Sequence, residues 1–246
     1  MMAVAEKLCS LEPFFIEFEQ SYLHGDMLPG EYGDVLPNIL FLHGEEHDED
    51  RRQFFLLRQM LFKQYGLSSC VFDFIGHGST GGDWRESSLQ QRTQQAGDIV
   101  DACFDGQPFS IVAVGMGAYT ALKLMEMASV RHLVLFVPKL YCRALYTLSL
   151  ADITSERLDS CSCSVDQSDA LTIMQRFHGN LCLVAAEQET GGSHVIEQLH
   201  ECSVNADKYQ QFSIPSKASQ IMEYANNHPL ILRKIADSIA DTCQVA

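Results

Sequence analysis

Apolar residues along the chain gather into short unbroken runs that alternate with longer stretches where they recur at helical spacing. The strand-length runs are 38–42 (NILFL), 69–74 (SCVFDF), 109–114 (FSIVAV), 132–137 (HLVLFV), 181–186 (LCLVAA) and 211–214 (QFSI). Between and after them, 50–64, 88–103, 117–129, 193–202 and about 227–242 predict helices. Acidic residues stand ahead of the first of these, near the positive end of its dipole. Phe14–Gln20 and Tyr22–Leu28 predict a short opening hairpin. Strands that are apolar throughout and alternate with helices predict an α/β fold, a mostly parallel doubly wound sheet covered on both faces.

One segment breaks the rhythm. Residues 138–176 hold the serine-, aspartate- and cysteine-rich TSERLDSCSCSVDQSD, which predicts a small insertion or cap over the sheet. No linker and no internal repeat divides the 246 residues, so residues 1–246 are expected to form a single domain with that excursion. In open α/β sheets ligands bind beyond the carboxyl ends of the strands. Attention therefore falls on His43-Gly44, Gly76–Gly82, Gly115-Met116, Pro138, Glu187–Glu189 and Pro215–Gln220.

Composition narrows the partners. Lys and Arg number 17 against 32 Asp and Glu, a formal net charge of −15. Phosphate polymers and anionic membranes repel such a chain, so neither nucleic acid nor membrane is expected as a partner. Hydrophobic residues at 46% suffice for a real core. The opening MMAVAEKLCSLEPFF lacks a basic region followed by an apolar core, and no window reaches 18 apolar residues. A cytoplasmic protein is the expectation. The nine cysteines sit mostly inside apolar segments, as reduced buried thiols would. Cys161 and Cys163 form a C-x-C pair without a second ligand pair at metal spacing. Neither a metal nor a cofactor is expected.

Five strand-end motifs, LFLHGEE (40–46), DFIGHGSTGG (73–82), AVGMGAYTAL (113–122), LVAAEQET (183–190) and NNHPLILRKIADSIAD (226–241), succeed one another in order. Together they resemble the α/β-hydrolase family over nearly the whole chain. That resemblance implies the α/β-hydrolase fold and points to a nucleophile elbow, G-x-S-x-G, at Ala113, Val114, Gly115, Met116 and Gly117. Gly115 then occupies the nucleophile's position and leaves it vacant. A hydrogen atom cannot attack a carbonyl. An elbow's central residue is strained by about 1–3 kcal/mol when it carries a side chain, whereas glycine adopts such a conformation without a Cβ clash.

The resemblance also places the other triad members, in the order nucleophile, acid, histidine. Glu189 takes the acid position, with Glu187 a close alternative. The histidine should come after QFSIP, where the chain reads Ser216, Lys217, Ala218, Ser219, Gln220; Ser219 matches the vacant position. His228 belongs to the start of the final helix. Without an imidazole there is no general base for a nucleophile and no proton donor for a leaving group. The oxyanion hole would come from the backbone N–H groups of Met116 and Glu45. Five carboxylates crowd GEEHDED, and they are expected to cap the next helix and face solvent.

Other groupings weigh less. His43, Glu45 and His47 alternate in a way that suits a metal, yet H-G-E at a strand end matches the family's loop. His77 fits a structural position, and His194 is the histidine to test as a displaced base. Met116, Tyr119, Trp84 and Met222 suit either an apolar pocket above the elbow or ordinary packing. Two functions are consistent with these residues. The first is a non-catalytic homologue that binds a small acyl- or ester-like ligand or a protein partner. The alternative is an active esterase or thioesterase using non-standard residues such as His194.

Overall fold

Ile39–Leu42 and Ser69–Phe72 are buried at every residue, and a strand with no exposed face needs cover on both sides. The computed structural model, which describes residues 10–29, 36–46, 48–153, 167–188 and 192–243, supplies that cover. Eight strands, β1 (Glu12–Phe18), β2 (Ser21–Leu28), β3 (Ile39–Leu42), β4 (Ser69–Phe72), β5 (Phe109–Val114), β6 (Val130–Phe136), β7 (Asn180–Ala186) and β8 (Lys208–Ile214), form one sheet. Their spatial order is β1-β2-β4-β3-β5-β6-β7-β8. The β1–β2 hairpin and the β2–β4 pairing are antiparallel. Every other pair runs parallel.

The helices are α1 (Phe55–Tyr65), α2 (Leu89–Phe104), α3 (Met116–Leu124), α4 (Asp169–Met174), α5 (Gly192–Cys202), α6 (Ile221–Asn227) and α7 (Pro229–Cys243). Alternate residues of each strand point to opposite faces, and the two cores divide accordingly. Leu40, Leu42, Ile111, Ala113, Leu133 and Leu135 pack with α2, α3, α4 and α5. Their neighbours Ile39, Phe41, Val112, Val114 and Val134 pack with α1, α6 and α7. The mostly parallel sheet flanked by helices is the architecture that the alternating pattern predicts.

Two helices differ from the sequence reading. The helix expected at 117–129 ends at Leu124, beyond which the chain tightens into i→i+3 turns (Met125 N–H to Leu122 O, Glu126 N–H to Lys123 O). The closing helix expected from about 227 begins at Pro229, with α6 before it. His228 separates the two at φ −126° and ψ 90°, because a residue preceding proline is pushed out of the helical region. Residues 154–166, including Cys161 and Cys163, lie outside the described residues. Among those described, the 138–176 stretch holds two short 3₁₀ turns (Arg143–Leu145 and Leu150–Asp152) and α4. No described helix is long and apolar enough to cross a membrane.

Strand register decides which strand ends meet. Leu42 pairs with Ala113, Val114 with Phe136, and Phe136 with Val184. The carboxyl ends of β3, β5, β6 and β7 therefore finish side by side.

Candidate functional site

β5 turns into α3 at one residue. Gly115 has φ 56° and ψ −120°, a region that side-chain-bearing residues avoid. Its N–H donates to Phe136 O at 3.0 Å, and its carbonyl accepts from the N–H groups of Ala118 and Lys139, each at 3.1 Å. Two residues on, a Cβ on Gly117 would lie 2.7 Å from the carbonyl oxygens of both Leu42 and His43. That glycine lets α3 sit directly on the end of β3. Val137, one residue past β6, also has positive φ, at 41°, a strained state for a β-branched residue.

A carboxylate covers the first N–H of the turn. Met116 N–H, at the start of α3, donates to Glu45 Oε2 at 3.0 Å. The other Glu45 oxygen receives the Lys139 ammonium, which also lies 3.9 Å from Glu46. A Cβ on Gly115 would stand 3.2 Å from Glu45 Oε2. Glu45 therefore does not cap the next helix or face solvent, contrary to the expectation for the GEEHDED carboxylates. A free helix N–H and a lysine draw it inward. Capping falls to Asp50, which accepts from Arg52 N–H at 2.8 Å. Glu49 Oε2 accepts the Glu46 N–H at 3.2 Å. Burial first, and then the neighbouring Glu45, push its carboxyl up to about 7.

The loop beneath Glu45 is braced from inside. His43 is wholly buried. Its Nε2 accepts the Phe74 N–H at 3.1 Å while Nδ1 lies 2.9 Å from Gly44 O, so the proton sits on Nδ1. Burial, then Arg92 and His77, hold it well below the usual histidine range. It is a neutral strut. Arg92 is also buried and donates through Nη2 to His43 O at 2.9 Å and Gly44 O at 2.8 Å. Its guanidinium lies 3.7 Å from the Phe74 ring centroid, and burial lowers it to about 10. His77 is held in the same cluster, with Nδ1 3.1 Å from Glu49 O and its ring 4.8 Å from that of His43.

A cleft of about 320 Å³ opens above Gly115. Glu45, Glu46 and Glu49 line it, as do Lys139, Lys217 and Ser219. Gly115, Glu45 and Ser219 thus meet in one place, with Gln188 also on the wall. Ser219 belongs to a 3₁₀ turn, Ala218–Gln220, after β8. Glu189 and His47 lie outside the described residues. Glu187 is exposed, accepts from Ser213 Oγ at 2.8 Å and is not among the residues that line the cleft. His194 is exposed on α5, and His228 stacks on Tyr224 with ring centroids 3.9 Å apart.

No histidine lines the cleft among the described residues. The suggested apolar pocket also dissolves into packing. Met116 and Tyr119 are buried in one core and Met222 in the other, and Trp84 packs at the edge of the first. Sequence reasoning passed over Lys139, although it stands directly after the strand-end Pro138. It also passed over the inward turn of Glu45. Among the described residues no group of three His, Cys, Asp or Glu is placed to hold a metal ion.

No family model and no curated protein matches the chain. Solved structures do. Alpha/beta hydrolase domain-containing protein 10 from mouse superposes with a TM-score of 0.65 at 16% identity, covering 94% of this chain and 99% of that one. The Pyrococcus furiosus esterase Pf2001 gives 0.65 at 13% identity, covering 96% and 93%. The thioesterase domain from the curacin biosynthetic pathway gives 0.63 at 16%, covering 91% and 99%. Coverage from end to end at such low identity is a statement about architecture, and it agrees with the strand order and the turn at Gly115. The chain has the α/β-hydrolase fold.

Proposed function

We propose that this protein is a hydrolase-fold binding protein without serine-hydrolase catalysis, whose cleft above Gly115 takes a small acyl- or ester-like ligand. One observation carries the reading: the Glu45 carboxylate occupies the Met116 N–H beside a turn that has no nucleophile. An oxyanion hole works by offering preorganised donors where negative charge develops. Here that donor is already bonded to a carboxylate, and a second negative charge beside it would be repelled. Gly115 provides nothing to attack a carbonyl, and Ser219 cannot serve as a general base. Lys139 and Lys217 on the cleft wall offer ammonium groups to a ligand's carbonyl or carboxylate oxygens.

The test is chemical reactivity. Purified protein should not react with a fluorophosphonate probe and should not hydrolyse p-nitrophenyl butyrate or a short acyl thioester above background. Turnover that disappears on His194→Ala would replace this reading with an active, non-standard hydrolase. The double change Gly115→Ser with Ser219→His should stay silent while Glu45 remains. Adding Glu45→Ala frees the Met116 N–H and should bring measurable fluorophosphonate labelling.

A further inference from the structure

At the end of the sheet opposite the cleft, where β6, β7 and β8 begin, lies a depression of about 400 Å³. Its wall includes Arg131, His132, Arg176, His178 and Asp207. The backbone is tightly drawn there. Gly179 leads into β7 so close to β6 that a Cβ on it would lie 1.7 Å from Arg131 O. Its carbonyl accepts the Asp207 N–H at 3.1 Å. The turn after α4 thereby brings Arg176 and His178 beside the first residues of β6.

His132 is the informative residue, being only 7% exposed. Its Nδ1 accepts the Asn180 N–H at 3.2 Å, which leaves the proton on Nε2. That Nε2 is buried without a hydrogen-bond partner. A buried, unsatisfied donor costs about 1–3 kcal/mol, and native structures rarely leave one without a reason. Burial and then Arg131 lower the pKa of His132, while Asp207 opposes them, so the imidazole acts as a neutral donor. Arg131 and Arg176 are both exposed and form no ion pair with any described residue. Two guanidinium forks and one N–H donor, opposed by the single carboxylate of Asp207, leave local positive charge in a chain whose net charge is −15.

We propose that this depression binds the phosphate group of a small phosphate-bearing molecule, gripped by Arg131 and Arg176 with the His132 Nε2–H as the inner donor. Planar guanidinium groups pair with phosphate oxygens two at a time. A tetrahedral dianion has enough acceptors to meet donors arriving from three sides, and a flat carboxylate monoanion does not. This site is separate from the cleft above Gly115, so its failure leaves the reading of that cleft untouched.

Titration of the intact protein with inorganic phosphate and with phenyl phosphate tests the site, using sodium acetate at matched ionic strength as the control. The readout is the imidazole ¹H–¹⁵N resonance of His132. Saturable movement with both phosphates, absent with acetate, is the expected result. Arg131→Ala and Arg176→Ala should each weaken binding by roughly tenfold, the loss of one charge-assisted contact. Both arginines are exposed, so the melting temperature should stay unchanged and separate lost binding from lost folding. An equal response to acetate would overturn the proposal. So would binding that survives the double arginine change, or phosphate binding that leaves the His132 resonance unmoved.

Discussion

Gly115 combines a backbone that favours glycine with a neighbour that leaves little room. Its φ of 56° is strained for any other residue, and a Cβ would approach Glu45 Oε2 to 3.2 Å. Gly115→Ala should therefore destabilise the fold by about 1–3 kcal/mol, lowering the melting temperature about 2–4 °C for each kcal/mol. Calorimetry on the two proteins checks this, and an unchanged melting temperature would refute the strain argument. Glu49 supplies a pH dependence. Its folded carboxyl titrates near 7 against an ordinary value of 4.5, so the folded state holds the proton more tightly than the unfolded one. The stability this contributes is complete below about 4.5 and is lost as pH rises through about 7. Glu49→Gln, which keeps an acceptor for the Glu46 N–H, should raise the melting temperature at pH 8 and change it little at pH 4. The glycine at the β5–α3 turn was legible in the sequence, because a motif position names a residue type. The expectation that Glu45 would cap a helix or face solvent failed, because no periodicity governs where a loop carboxylate turns. Its direction depended on Lys139, 94 residues away, and on the Met116 N–H at the start of α3, which no backbone carbonyl takes up within the helix.

At the scale of elements, the β5–α3 junction rests on close approach more than on side-chain packing. Gly117 has carbonyl oxygens of Leu42 and His43 within 2.7 Å of where its Cβ would be. Backbone at the end of β3 cannot yield as a flexible side chain would. Gly117→Ala should push α3 outward at a cost of about 1–3 kcal/mol, seen as a lower denaturant midpoint with an unchanged slope. The strands were the most readable part of the chain. Phe109–Val114 matches residue for residue, because a strand buried on both faces shows as an unbroken apolar run. Helix ends were less readable. The apolar spacing of 117–129 continues past Leu124, but the chain there adopts tight turns. IMEYANN is too short to display a helical period, so α6 emerged only in three dimensions.

Over the whole molecule, parallel topology collects the carboxyl ends of β3, β5, β6, β7 and β8 at one end of the sheet. This is why positions as far apart in sequence as Glu45, Gly115 and Ser219 share one cleft, and why the cleft's location could be read before its shape. The depression at the opposite end gave no such signal. Arg131, His132, Arg176 and His178 belong to no motif, and only the register of β6 against β7 brings them together. The contact between Glu45 and Met116 also sets a threshold for any ligand of the cleft. The two residues are 71 apart in sequence, yet the fold holds them together, so Glu45 competes at the effective concentration of a tethered group, roughly millimolar or higher. A ligand oxygen seeking that N–H must displace a resident rival, and its apparent affinity shrinks by the fraction of time the rival is away. On the proposed reading, a carbonyl compound would therefore have to engage the lysines on the wall as well in order to hold the cleft.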